Sequence, residues 1–412
     1  MKRNILHCDM NNFYASVECM LNPEIREYPV AVCGSVEDRH GIVLAKNYKA
    51  RDLDVKTGDT VWQAKKKAKD IVIVSPHFDE YIKYSKLARK IYGRFTDLVE
   101  PYGMDECWLD ITGTEKILGT PEEIADKIRQ TIKYELGLTV SIGVSFNKIF
   151  SKLGSDMKKP DAVTIINENN FREKVWPLPA SSLLGVGRST KKILDSHCIF
   201  TIKDLAMADT NWLQRNLGKN GLVLKNYANG IDHSPVTHID YVFPAKSVGH
   251  GITTTEDLET PEQVWAVMLE LTQNIGHQLR MHKKKAKGVS IQIKDNQLSV
   301  KQMQTPLEIP TQSAMIIART AYNLFKSNYM WLNNIRSVTV QAINLIPQDT
   351  PLQTDFFTNT KSIEKAEQLE ECIEKIRAKF GKDSIKNGVL LQNLKIPKLK
   401  PEITMPSGLL TR

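Results

Sequence analysis

The sequence predicts an α+β chain of several domains, and three stretches carry that prediction. Residues 1–10 and 78–165 alternate short apolar strands with helical patterns, in an order that suits a ferredoxin-like sheet with helices on one side. Leu183 to Leu194, LLGVGRSTKKIL, reads as helix, glycine hairpin and helix. From residue 247 to 347 the elements follow in the order βαββαβ. A length of 412 residues leaves room for roughly two to four domains.

In the first unit, Ile5, Leu6 and Cys8 form an apolar strand with Asp9 at its end. A helix through Phe13, Val17, Cys19 and Met20 follows, and Asn22-Pro23 stops it. Helices are expected over 78–99 and 121–136, and strands near 106–111 and 139–145. Thr120-Pro121-Glu122-Glu123 supplies an N-cap, a proline at the first helical position and a capping-box glutamate. The acids Asp105 and Glu106 open the 106–111 strand, where adjacent carboxylates can lean on one site at the strand mouth. Asp9, Asp105 and Glu106 could thus converge at neighbouring strand ends. Three carboxylates without a histidine or cysteine set suit hard cations such as Mg²⁺. Two such ions, roughly 3.5–4 Å apart, clamp the attacking and leaving oxygens of a phosphoryl displacement.

Composition narrows the function classes. Lys plus Arg number 56 against 47 Asp plus Glu, a net charge of +9 with pI about 9.0, which favours a polyanionic partner. Six cysteines (8, 19, 33, 107, 198 and 372) are scattered without a CxxC pair, so neither a zinc site nor a disulfide framework is expected, and a reducing cytosol fits. Met1-Lys-Arg-Asn leads straight into the first strand, so no signal peptide is expected. No apolar run approaches the about 20 residues of a membrane span, so no membrane partner is expected.

Four motifs now stand in order: DMNNFYASVE (9–18), AKNYKAR (45–51), MDECWLDI (104–111) and VSIGVSFNKIFSKLGSDMKKP (140–160). Together they resemble the Y-family, lesion-bypass (DNA polymerase IV and UmuC-like) DNA polymerases. The tail and the GMDECWLD variant are similar to the Gram-positive UV-damage branch. The resemblance spans about residues 4–346. It implies a right-hand architecture with a palm at 1–10 and 78–165, a small fingers insertion at 11–77 and a helical thumb at 166–236. A linker at 237–246, a βαββαβ little finger at 247–347 and a tail at 348–412 complete it.

The resemblance also implies residue roles. Asp9, Asp105 and Glu106, with the Met10 carbonyl, would hold two Mg²⁺. Tyr14, beside Phe13, would be the steric gate whose ring rejects a ribose 2′-hydroxyl. Tyr48, Arg51 and Lys159 would bind the triphosphate of a dNTP, with Arg supplying a fork of donors and Lys a point charge. Two positions depart from the pattern: Ala45, where relatives often carry a hydroxyl, and Gly103, where many have serine.

The later segments would hold primer–template DNA. Gly185 and Gly187 permit a tight turn whose backbone N–H groups face a DNA phosphate, with Arg188, Lys191 and Lys192 adjacent. From Lys246 to Pro347 there are 11 Lys or Arg against 7 Asp or Glu, and Lys283, Lys284 and Lys285 form a basic loop suited to phosphates. In the tail, Gln353, Asp355, Phe356 and Phe357 resemble the peptide that bacterial polymerases insert into the sliding clamp. An amphipathic helix at 361–380, apolar through Ile363, Ala366, Leu369, Ile373, Ile376 and Phe380, would pack that face on the core.

The expected function is low-fidelity, template-directed DNA synthesis past lesions by a cytoplasmic monomer without a proofreading exonuclease. One rival is a catalytically inactive DNA-binding scaffold of a repair complex, which need not keep all three acids, Tyr14 and Arg51. A palm-fold nucleotide cyclase is another, but it needs neither a helix-hairpin-helix nor a basic second half.

Overall fold

A computed structural model describes residues 3–35, 41–351, 360–391 and 394–397. The chain divides into two compact units, the second beginning at Pro244. Among the described residues no helix is long and apolar enough to cross a membrane.

The first unit holds β1 (Ile5–Met10), β2 (Val30–Cys33), β3 (Val43–Lys46), β4 (Val72–Val74), β5 (Val99–Pro101), β6 (Glu106–Asp110), β7 (Val140–Ser145) and β8 (Val163–Ile165). Five of them form a sheet of order β5-β6-β1-β7-β8, antiparallel except for the β7–β8 pair. Alternation sorts its faces. Leu6, Cys8 and Met10 join Leu109, Val140, Ile142 and Val144 in a core with Ile91 of helix Phe78–Tyr92 and Ile124 and Ile128 of helix Pro121–Leu136. That last helix carries the expected Thr120 capping box and Pro121 at its first turn. The first stops at Tyr92, short of the expected 99, with Gly93 as its C-cap.

The expectation of helices on one side holds for only part of this sheet. Helix Lys148–Met157, capped by Asn147, packs on the face that carries Ile5, His7 and Asp9. Gly143 makes the close approach possible, since a Cβ there would lie 1.9 Å from the Ser151 carbonyl oxygen. Trp108 Nε1 donates to the Lys148 carbonyl at 2.9 Å from the same face.

A smaller sheet, β3-β2-β4, packs Ala31, Cys33 and Val43 against Ala50 and Ala64 of two short helices, Tyr48–Asp52 and Val61–Lys67. The helical part contains Phe171–Val175, Arg188–Asp195, Ile202–Met207 and Thr210–Ala228, around Leu183, Leu194, Leu205 and Leu224. Before the paired glycines stands only a 3₁₀ turn, Ala180–Ser182, rather than a full helix. Pro177 and Pro179 explain this, because each lacks a backbone donor and disfavours helix in the residue before it. Part of the expected linker is fastened down: Thr237 N donates to Glu100 Oε2 and Ile239 N to the Asp97 carbonyl.

The second unit is βαββαβ: β9 (Ser247–Leu258), helix Pro261–Met281, β10 (Lys284–Asp295), β11 (Val300–Thr311), helix Ala314–Asn328 and β12 (Ile335–Pro347). Its sheet order is β11-β10-β12-β9. β11 runs well beyond the expected 303, through Pro306 and Pro310, and an edge strand tolerates proline because its outer N–H groups have no ladder partner.

Helix Thr360–Phe380 corrects an expectation. It docks by a mixed face on which Ile363, Ala366 and Ile373 are half-buried beside Glu367, Glu370 and Glu374, while Leu369 stays 61% and Phe380 67% exposed. Glu370 accepts from Ser313 Oγ, Ala314 N and Met315 N at the start of helix Ala314–Asn328, and from Arg280. Glu367 accepts from Thr311 Oγ1 and Gln312 N, and Glu374 from Arg280. Carboxylates against unpaired helix N–H groups and a guanidinium turn the helix so that only part of the apolar stripe reaches the docking face. The clamp-like Gln353, Asp355, Phe356 and Phe357 lie outside the described residues.

Candidate active site

The strand register brings the acids together. Asp9 on β1 is the direct partner of Glu106 on β6, so both side chains rise from one face of the sheet. Asp105 precedes β6, and its carbonyl accepts from Met10 N at 3.0 Å, which brings it to the end of β1. The tight bend before it uses Gly103 at φ +93°, a conformation that serine would adopt only with strain.

Asp9, Asp105 and Glu106 wall a cleft of about 390 Å³ with Met10, Phe13 and Tyr14, and with Ala45, Lys46, Thr57, Asp156 and Lys159. Tyr14 is half-buried and stacks flat on Tyr81, ring centroids 4.2 Å apart and planes 9° from parallel. Tyr81 in turn donates to the buried Glu18. The Tyr14 ring therefore has a fixed plane.

Like charges at this spacing repel, and cations hold them. Lys159 Nζ lies 2.7 Å from Asp9 Oδ2 and 2.9 Å from Asp156 Oδ1. Lys152 Nζ lies 2.9 Å from Glu106 Oε2 and 3.8 Å from Asp9 Oδ2. Burial pushes the Asp9 carboxyl up, Lys159 opposing and Glu106 adding. Burial, then Glu106 and Asp9, lifts Asp105 to about 7. Burial would also raise Glu106, but His7 and Lys152 outweigh it and hold it low. Burial drops His7, whose Nε2 is 3.4 Å from Glu106, to about 4, so it stays neutral, with Nδ1 2.8 Å from Ser155 Oγ.

The remaining sequence candidates do not wall this cleft. The charges of Lys159, Arg51 and Asp9 nevertheless bear on the Tyr48 hydroxyl, and Arg51 stacks over the Tyr48 ring at 5.9 Å. Gly185 takes φ +94°, and Gly187 caps helix Arg188–Asp195 with Arg188, Lys191 and Lys192 exposed. Lys191 is ion-paired with Asp195. Lys283 sits in a turn, whereas Lys284 and Lys285 already belong to β10 and Lys285 is 3.3 Å from Glu367.

Sequence reasoning missed Lys152, Asp156 and His7. A signal existed for each. Lys152 and Asp156 are four apart on one helix, which puts them on one face, and His7 shares its strand parity with Asp9.

A metal fits this donor set chemically. Among the described residues no three His, Cys, Asp or Glu side chains stand close enough to hold one ion as they lie. Yet three crowded carboxylates, two of them lifted by burial and by one another, are the oxygen ligands a hard divalent cation takes.

The impB/mucB/samB family matches residues 8–156, and its C-terminal domain matches residues 245–356. The DNA polymerase IV of Acetivibrio thermocellus is 49% identical over 95% of this chain and 98% of its own length. The chain belongs to the impB/mucB/samB family, the Y-family polymerases. DNA polymerase IV 1 of Bacillus subtilis is 36% identical over 95% of this chain and 94% of its own. Among solved structures, the Y-family DNA polymerase chimera Dbh-Dpo4(243-245)-Dbh superposes with a TM-score of 0.74 at 22% identity, over 84% of this chain and 99% of that one. The fold is therefore the right-hand polymerase architecture with its βαββαβ addition. By membership of this family the protein is a DNA-directed DNA polymerase with a place in translesion synthesis, and it is metal-dependent.

Proposed function

We propose that the protein is a low-fidelity, template-directed polymerase that copies past damaged bases by two-Mg²⁺ nucleotidyl transfer, without proofreading. The observation that carries this reading is the convergence of Asp9, Asp105, Glu106, Tyr14 and Lys159 on one cleft. Asp9, Asp105, Glu106 and the Met10 carbonyl would hold the ions. When bound, these would lower the pKa of the primer 3′-hydroxyl and neutralise the leaving pyrophosphate.

The chain's own residues do the rest. Lys159, with Tyr48 and Arg51 behind it, offers donors to the triphosphate, and an incoming polyphosphate would draw Lys159 from Asp9. Tyr14, backed by Tyr81, lies under the sugar and leaves no room for a 2′-hydroxyl. Palm (1–10 and 78–165), fingers (11–77), thumb (166–236) and little finger (247–347) divide the labour, with the Gly185–Gly187 turn, Arg188, Lys191, Lys192 and Lys283–Lys285 on DNA phosphates. The protein acts as a cytoplasmic monomer recruited through its clamp peptide. Primer extension with dNTPs and Mg²⁺ tests the reading. Template-dependent growth is expected, while DNA binding without any growth would favour the inactive scaffold.

A further inference from the structure

We propose that Trp62 is a stacking platform for the unpaired template strand ahead of the cleft, with Lys65 and Lys66 on its phosphates. The inference rests on the polymerase reading above and assigns it a further binding site.

Of the six tryptophans, Trp62 alone is exposed, at 69%. Its helix, Val61–Lys67, is held by a Thr60–Gln63 capping box and buries Ala64 completely. Trp62, Lys65 and Lys66, at positions i, i+3 and i+4, therefore share the opposite, solvent-facing side. Lys66 Nζ lies 5.4 Å from the centre of the Trp62 ring. Lys67 is spent on Asp59, at 2.7 Å, but Lys65 and Lys66 have no carboxylate partner among the described residues.

Position relates this face to the cleft. Thr57 walls the cleft, and Trp62 follows five residues later, a span of at most about 18 Å. Between them, Gly58 N donates to the Val43 carbonyl, Val43 N to that of Asp59, and Thr60 bridges Ile42. This ties the segment alongside β3, whose Leu44, Ala45 and Lys46 also wall the cleft. A large exposed ring flanked by uncompensated cations suits single-stranded nucleic acid. Every unpaired base offers a π-face, whereas a duplex hides its base faces in the stack. The strand that remains single beside a polymerase site is the template not yet copied.

The full chain can be titrated with two labelled primer–templates that differ only in a 5′ template overhang of one or about ten nucleotides. Wild type is expected to prefer the long overhang. Trp62→Ala should lose about tenfold more affinity for the long overhang than for the short one, and Trp62→Phe should keep most of the preference. Replacing Lys65 and Lys66 by glutamine should lower the salt slope on the long overhang by about 1.4. A Trp62→Ala chain with the wild-type ratio of affinities would overturn the platform and leave the ring for a protein partner. Failure of the wild type to bind either substrate would instead overturn the polymerase reading, and the platform with it.

Discussion

Asp9 and Glu106 stand directly opposite each other across β1 and β6, and Lys152 lies within ion-pair distance of both. Two carboxylates on one sheet face destabilise each other unless a cation sits between them. Retaining this arrangement is understandable if the carboxylates serve chemistry. Asp105→Ala or Glu106→Ala is expected to abolish primer extension while primer–template binding largely survives, because the residues proposed to grip DNA lie outside this acidic set. Gel extension and anisotropy measured side by side check this, and near-normal extension by either variant would sink the two-metal assignment.

Tyr14 owes its orientation to the flat stack on Tyr81. Tyr14→Ala should admit ribonucleotides far more readily while dNTP incorporation continues. An unchanged ratio of ribo- to deoxynucleotide incorporation would return Tyr14 to a packing role.

Asp161 offers a pH test that is read in stability rather than in turnover. Burial alone would raise its carboxyl, but Lys133 and Arg129, each 2.8 Å away, hold it below the usual range. A lowered native pKa stabilises above the unfolded value of about 3.9, and that stability is lost as pH falls through the native value. Asn tolerates the left-handed backbone at this position (φ +53°), so Asp161→Asn removes charge without adding strain. The variant should be about 1 kcal/mol less stable at neutral pH, a figure kept small because the pairs are partly solvated. Near pH 3 the gap in urea midpoints should shrink, and an equal gap at both pH values would show that packing, not charge, is responsible.

Phe356 and Phe357 lie outside the described residues, so their prediction rests on sequence. Burying one such ring contributes about 1.5–3 kcal/mol, and about 1.4 kcal/mol is tenfold in affinity. Phe356→Ala with Phe357→Ala should weaken sliding-clamp binding at least tenfold and remove stimulation by the clamp. Equal binding of wild type and double variant to purified clamp would rule the motif out.

The sequence by itself determined the α+β class, the βαββαβ order and the three catalytic candidates. Alternating parity, proline and glycine punctuation and capping residues act locally, within a few positions of the residues they control. What is non-local came only from the tertiary structure. No local pattern pairs Asp9 with Glu106, which requires the β1–β6 register. Nor does it bring Lys152 and Lys159 onto them, which requires helix Lys148–Met157 to lie against Gly143. The same holds for helix Thr360–Phe380. Its apolar stripe is plain in the sequence, but only Ile363, Ala366 and Ile373 of it are half-buried, because the helix is also turned toward Arg280 and the open N–H groups at Ala314 and Met315, far away in the chain. Charge-assisted bonds to a helix end are directional, and only the folded unit presents that end.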